Sequence, residues 1–167
     1  MTYPAEKTRE AGIRKINLPA YVMIALTLIG IADALYVAYG SYRGTQLWCP
    51  ILDGCNTVIN SPYSRVLGMP MSYFGFIYYV FMFGLAARLA YEPASKSLRF
   101  RVVLYAALGA VSSAYFIYLQ LGFIQAICSY CIISAIVSLL LLLAALWHFQ
   151  VIKRTGFEIS HGTMVMK

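Results

Sequence analysis

Four cysteines carry the chemistry open to this chain of 167 residues. Cys128 and Cys131 stand three apart in Cys128-Ser129-Tyr130-Cys131. Cys49 and Cys55 stand six apart in Trp48-Cys49-Pro50-Ile51-Leu52-Asp53-Gly54-Cys55. Two cysteines three apart at a helix start share one face and can form a reversible disulfide. Unpaired N–H groups and the dipole at that end lower a thiol's pKa, making the thiolate a better nucleophile and leaving group. Three chemistries fit the set: two redox-active pairs, a zinc site built from all four sulfurs, or two static disulfides. Against zinc, no histidine lies near a cysteine in the sequence, and cysteines on an oxidising face are normally oxidised. Against static bridges, a C-x-x-C disulfide closes too small a loop to add much stability through chain entropy.

The elements that position these cysteines follow from composition. Apolar residues make up 61% of the chain and charged residues 11%, with a mean hydropathy of +0.72. Soluble domains run at about 45–50% apolar and about 25% charged. The composition excludes a cytosolic enzyme, a disordered chain and a small secreted disulfide scaffold. It leaves an integral membrane protein of one-domain length. A helix crossing the hydrocarbon core needs about 20 apolar residues. Four stretches qualify, 19–39, 70–90, 102–121 and 129–149, with Pro19 and Pro70 at or near first helical positions, where a missing N–H costs least. The expected fold is all-α: a four-helix bundle in the membrane (19–150) with a long outer loop, a lid, over 40–69. An N-terminal segment (1–18) and a tail (151–167) flank it, and the first 18 residues and the chain from Gly156 are expected to be loose. The first apolar stretch is too long for the core of a cleaved signal peptide and reads as a retained helix.

Charge placement gives an orientation. The formal charge is +7, but the basic residues form no single patch with stacking aromatics, so nucleic acid is not an expected partner. Eleven of the 13 basic residues flank one side: Lys7, Arg9, Arg14, Lys15, Arg88, Lys96, Arg99, Arg101, Lys153, Arg154 and Lys167. Only Arg43 and Arg65 lie in the opposite loops. The positive-inside rule then puts both termini in the cytoplasm. All four cysteines fall on the other, oxidising side, although cysteines played no part in that assignment.

The chain resembles the vitamin K epoxide reductase family, including its bacterial disulfide-forming members. The resemblance rests on the spaced pair in the first outer loop (Cys49, Cys55), Ser61 six residues later, Gly68-Met69-Pro70-Met71-Ser72-Tyr73-Phe74-Gly75 opening the second span, and the C-x-x-C opening the fourth (Cys128, Cys131). It extends from about Gly30 to Trp147. DsbB-type quinone oxidoreductases also combine four helices with two cysteine pairs, but in the reverse order.

The resemblance implies an electron relay. A reduced extracytoplasmic thioredoxin-like (DsbA-like) protein, expected to be a separate chain, attacks a Cys49–Cys55 disulfide at the shuttle residue Cys49. Cys55 then exchanges with Cys128. Cys131 faces a membrane quinone, ubiquinone or menaquinone, and passes the electrons on. No metal is expected, and the setting implied is a prokaryotic inner membrane. A DsbA-like partner has a potential near about −120 mV, so the acceptor must be comparably oxidising. In vertebrate members an Asn and a Tyr contact the quinone ring; the matching positions here are Met71 and Ala135, which favours a plain quinone over its epoxide. Trp48, Ile51, Leu52, Val58 and Ile59 are expected to rest on the bundle as the lid's inner face, with Ser61 supporting the lid by hydrogen bonding. Phe74, Tyr78, Tyr115, Tyr118 and Ile132 are expected to line the quinone pocket. Asp33, an acid inside the first span, is a candidate for a proton role; its alternative is a bond to a hydroxyl on another helix. The rival readings are a non-enzymatic four-helix scaffold with structural disulfides, a metal-ion permease or sensor, and a quinone-epoxide reductase proper.

Overall fold

The computed structural model describes residues 4–49, 54–66, 68–93, 95–155, 157–160 and 163–166, with side chains between 17 and 153. Among the described residues five helices dominate: α1 (Pro4–Arg43), the short α2 (Cys55–Asn60), α3 (Met71–Tyr91), α4 (Lys96–Leu119) and α5 (Ser129–Thr155). Four segments are long and apolar enough to cross a membrane: Asn17–Arg43, Met71–Tyr91, Lys96–Ile124 and Ser129–Lys153. The chain is an all-α membrane bundle. Two small antiparallel hairpins join them, β1 (Arg65–Val66) with β2 (Met69–Pro70), and β3 (Phe157–Ser160) with β4 (Thr163–Met166).

The ends of the elements have local causes. Ser95 caps α4 by accepting the Leu98 amide at 3.4 Å. Pro70, which cannot donate a backbone hydrogen bond, directly precedes α3. After Leu119 the chain widens into a single π turn (Gln120–Ile124), and Gln125, in the left-handed region at φ 52°, ends it. Left-handed backbone is uncommon outside glycine, so the turn is held by its surroundings.

Two expectations are corrected here. Pro19 does not start a helix; it lies inside α1, which begins at Pro4. The residues before it (Ala5, Glu6, Lys7, Arg9, Glu10, Ala11) are strong helix formers, and a membrane helix tolerates the lost backbone bond at a proline. Both termini were expected to be loose, yet the backbone is helical from Pro4 and pairs as the hairpin β3–β4 beyond Gly156.

The bundle packs α1 against α3 and α5, and α4 against α5, while α3 and α4 touch far less. Its core holds Ala20, Met23 and Ala34 from α1, Tyr79, Met82 and Ala86 from α3, Val102 and Ala106 from α4, and Val137 and Leu141 from α5. Small residues at these contacts let the backbones approach closely, which is how helices associate in lipid. Gly30 receives the Tyr79 ring, and Gly109 the Tyr78 hydroxyl; a Cβ at either position would collide with the tyrosine. Outward faces carry exposed Leu28, Leu35, Phe81, Leu104, Val111 and Leu143, a surface suited to lipid. Beneath the 40–69 connection lies a second cluster, with Cys55, Val58 and Cys128 buried and Cys49, Ile59, Ile124, Ala126, Tyr130 and Cys131 packed on it.

Candidate active site

All four cysteines meet at one end of the bundle. Cys49 and Cys55 form a disulfide with a Cα–Cα separation of 6.4 Å. Cys128 and Cys131 are free thiols, Cys128 buried and Cys131 half-buried. Cys55 and Cys128 are each fully buried in the cluster they share, so a carrier pair and the C-x-x-C are packed together.

The connection between α1 and α3 is built to bring Cys55 to this point. Leu47 donates its amide to Asn56 Oδ1 at 2.9 Å, and Asn56 Nδ2 donates back to the Leu47 carbonyl at 3.3 Å. This pairing folds the segment before Cys49 onto α2. Gly54 then lies against the bundle so closely that a Cβ there would be 2.6 Å from the Ile127 carbonyl oxygen and 2.8 Å from its nitrogen. Only a residue without a side chain permits that approach. Tyr130, inside the C-x-x-C, donates its hydroxyl to the Trp48 carbonyl at 2.6 Å. Tyr63 and Phe123 close the opposite edge, with ring centroids 5.9 Å apart.

The C-x-x-C is set by the start of α5. Ile132 donates its amide to the Cys128 carbonyl at 3.1 Å, the first turn of the helix. Cys128 therefore occupies the N-cap position, where side chains accept from the amides that follow. Its own amide donates to Gln120 Oε1 at 2.9 Å, in a buried bond. The π turn thus swings Gln120 inward to satisfy a group that would otherwise be orphaned. The Cys131 thiol, and then the Cys131 and Tyr130 amides, bond the Cys128 sulfur and hold its pKa down at about 7, against the opposing effect of burial. A thiolate is the species that carries out disulfide exchange.

Below Cys131 lies a cavity of about 380 Å³ bounded by α1, α3, α4 and α5. Ligand pockets run from about 300 to 1,000 Å³ and are mostly apolar with a few placed polar groups. Here the polar groups include Asp33, Ser134 and Ser138. Tyr79 bonds Ser134 Oγ at 2.7 Å and Ser138 Oγ at 3.2 Å, and Ser113 donates to Ser138 at 3.2 Å. Ile77 and Leu108, both exposed, stand on its wall, so the cavity reaches the lipid-facing surface.

Of the residues anticipated for the pocket, Phe74 and Tyr78 line the cavity, as do Cys131 and Asp33. Tyr115 and Tyr118 do not: they are 57% and 62% exposed and face outward. Ile132 is also absent from the wall, because one residue past Cys131 turns it about 100° around the helix. Val58 and Ile59 rest on the bundle as anticipated, but Trp48 is 74% exposed, its backbone rather than its ring engaging Tyr130. Ile51 and Leu52 lie outside the described residues. Ser61 bonds within the connection, donating to the Val58 carbonyl at 2.7 Å and capping the end of α2. Met71, in place of a polar donor, lines the cavity, and Ala135 does not. Gln120, Tyr130 and the Tyr79–Ser134–Ser138 set were not anticipated from the sequence. A buried glutamine one turn before the loop and serines spaced along α4 and α5 were their only signals.

Comparison with known proteins agrees with this geometry. One relative is the thiol-disulfide oxidoreductase LTO1 of Arabidopsis thaliana, 33% identical over 113 residues. The aligned region covers 64% of this chain and 30% of that protein, so the chain matches under a third of the relative's length. The sequence model of the vitamin K epoxide reductase family matches residues 21–146, which contain all four cysteines and every residue lining the cavity. The chain belongs to the vitamin K epoxide reductase family.

Proposed function

We propose that this protein is a membrane thiol-disulfide oxidoreductase that passes electrons from a thioredoxin-like dithiol protein to a membrane quinone, ubiquinone or menaquinone. One observation carries the reading. The Cys49–Cys55 disulfide is packed on Cys128, and Cys131 opens into the cavity, so the four sulfurs form a path from the bundle's end to its interior.

The partner's thiolate attacks Cys49, which is half-buried beside exposed Trp48, and releases Cys55 as a thiolate. Cys55 attacks a Cys128–Cys131 disulfide at Cys128, and the partner's second thiol displaces Cys49 and leaves as the partner's disulfide. The Cys49 thiolate then attacks Cys55, restoring Cys49–Cys55 with both C-x-x-C sulfurs reduced. That product is the redox arrangement seen here, with one disulfide at Cys49–Cys55 and two free thiols. Cys131 then gives its electrons to the quinone in the cavity, and the C-x-x-C disulfide reforms. The net reaction converts a dithiol and a quinone to a disulfide and a quinol.

Met71 on the cavity wall, standing where the resemblance implies a polar residue, favours a plain quinone over its epoxide. By the charge bias, the cysteine end is extracytoplasmic and both termini are cytoplasmic; the resemblance to bacterial disulfide-forming members favours a prokaryotic inner membrane as the setting. The test is turnover with a reduced thioredoxin-like protein and a short-chain ubiquinone, followed by quinone absorbance. Quinol formation that stops in Cys49→Ala with the protein substrate, and persists in part with a small dithiol, is the expected result. Absence of quinol with the wild type rejects the proposal.

A further inference from the structure

Asp33 is the only Asp, Glu, Lys, Arg or His among the described residues that line the cavity. It sits ten residues before α1 ends at Arg43, about 15 Å from that end at 1.5 Å per residue. Ala34, Val37 and Ser41 face the same space from the same helix. An ionisable group at membrane depth is costly and is found where it has work to do. Its charge reaches Cys128, Tyr130 and Cys131 on α5 and Tyr79 on α3.

The C-x-x-C creates a need for such a group. Cys128 caps α5, where the amides that follow favour its thiolate, and Cys131 is a free thiol whose proton must leave when the disulfide forms. Cys131, not Cys128, lines the cavity. The sulfur that meets the acceptor is therefore Cys131, and a thiol there must lose its proton to react. The other titratable groups around the space are tyrosines: Tyr36 on α1, its ring tilted against Tyr130, Tyr63 in the connection before α3, Tyr78 and Tyr79 on α3, Tyr105 on α4 and Tyr130 on α5. Tyr79 is engaged with Ser134 and Ser138, and Tyr130 with Trp48. Neutral phenols are poor proton acceptors; a carboxylate is a competent one.

We infer that Asp33 is the acid–base group of the cavity, taking the Cys131 proton and delivering it to an oxygen of the acceptor. The inference rests on the quinone reading above. The Cys131 S–H bond breaks and its proton moves to an Asp33 carboxylate oxygen. The Cys128 and Cys131 sulfurs join as a disulfide, and two electrons pass to the quinone. One quinone oxygen takes the proton from Asp33, and the other takes one from water. A thiolate, a thiol, a quinone and one proton thus become a disulfide and a quinol.

The test is a single-turnover measurement on the full chain, reduced, in detergent without oxygen, mixed with a short-chain ubiquinone across a pH series. Asp33→Asn should slow quinol formation by about a hundredfold, the usual scale of general acid–base catalysis. Its rate should keep rising with pH as hydroxide substitutes for the missing base, where the wild-type rate levels off once the carboxylate is ionised. Asp33→Glu should restore most of the rate. Exchange at Cys49–Cys55 with a small dithiol, read by alkylation gel shift, should be unchanged in both variants. The inference is overturned if Asp33→Asn keeps the wild-type rate and pH profile, if Asp33→Glu is as slow as Asn, or if exchange at Cys49–Cys55 falls as well. A wild type that forms no quinol rejects the quinone reading itself, a result separate from these.

Discussion

The Tyr130 hydroxyl donates a 2.6 Å hydrogen bond to the Trp48 carbonyl, joining residues 82 positions apart. Tyr130 lies between the two cysteines of the C-x-x-C, and Trp48 immediately precedes Cys49. The bond therefore ties the two redox pairs to each other directly. Tyr130→Phe removes it while keeping the ring tilted against Tyr36 at 5.1 Å between centroids. A hydrogen bond of this kind contributes about 1 kcal/mol. Amide hydrogen exchange around Leu47 should accelerate about fivefold in the variant, with exchange in the core of α3 unchanged.

Gly54 sets how near Cys55 comes to Cys128. Gly54→Ala would place a methyl carbon 2.6 Å from the Ile127 carbonyl oxygen, and backbone on both sides leaves little room to relax. In a Cys49→Ala, Cys131→Ala background, the remaining Cys55 and Cys128 should crosslink readily under mild oxidation. Adding Gly54→Ala should reduce that crosslinking at least tenfold, corresponding to about 1.4 kcal/mol or more.

Cys128 should titrate near neutrality. Its thiol is held at about 7 by the Cys131 thiol and the first amides of α5. The thiolate fraction therefore rises as pH rises through about 7 and falls roughly tenfold for each unit below it. Ultraviolet thiolate absorbance of the reduced protein, minus that of Cys128→Ser, should show a midpoint there. A midpoint in the ordinary cysteine range would contradict the N-cap account.

Gln120 holds Cys128 through its backbone amide. Gln120→Leu leaves the buried Cys128 amide without its acceptor, which costs about 1–3 kcal/mol. Thermal unfolding in detergent should shift down accordingly, and Gln120→Glu, which keeps an acceptor oxygen, should lose less.

The sequence made some of this legible and hid the rest for physical reasons. The spans could be read because lipid demands long apolar runs, and the cysteines because few chemistries tolerate their spacing. Helix phase could not be read from apolarity. In a membrane the outward face is as apolar as the inward one, so Tyr115 and Tyr118 looked as inward as Phe74 and Tyr78. The useful signal on α4 was small and polar residues: Gly109, Ser112 and Ser113 mark the face that lines the cavity. Trp48 misled because its ring is exposed while its carbonyl makes the contact. Gln120 was hidden because its role depends on a π turn that no local motif announces.

The central claim is that electrons reach the acceptor through Cys131. Its most direct measurement is the yield of quinol when fully reduced protein meets excess ubiquinone analogue anaerobically, in wild type and in Cys131→Ala. The account predicts at least one quinol per wild-type molecule, with a Cys128–Cys131 disulfide formed in step, and none from Cys131→Ala. Quinol formed by Cys131→Ala at the wild-type yield, or none formed by the wild type, would contradict it.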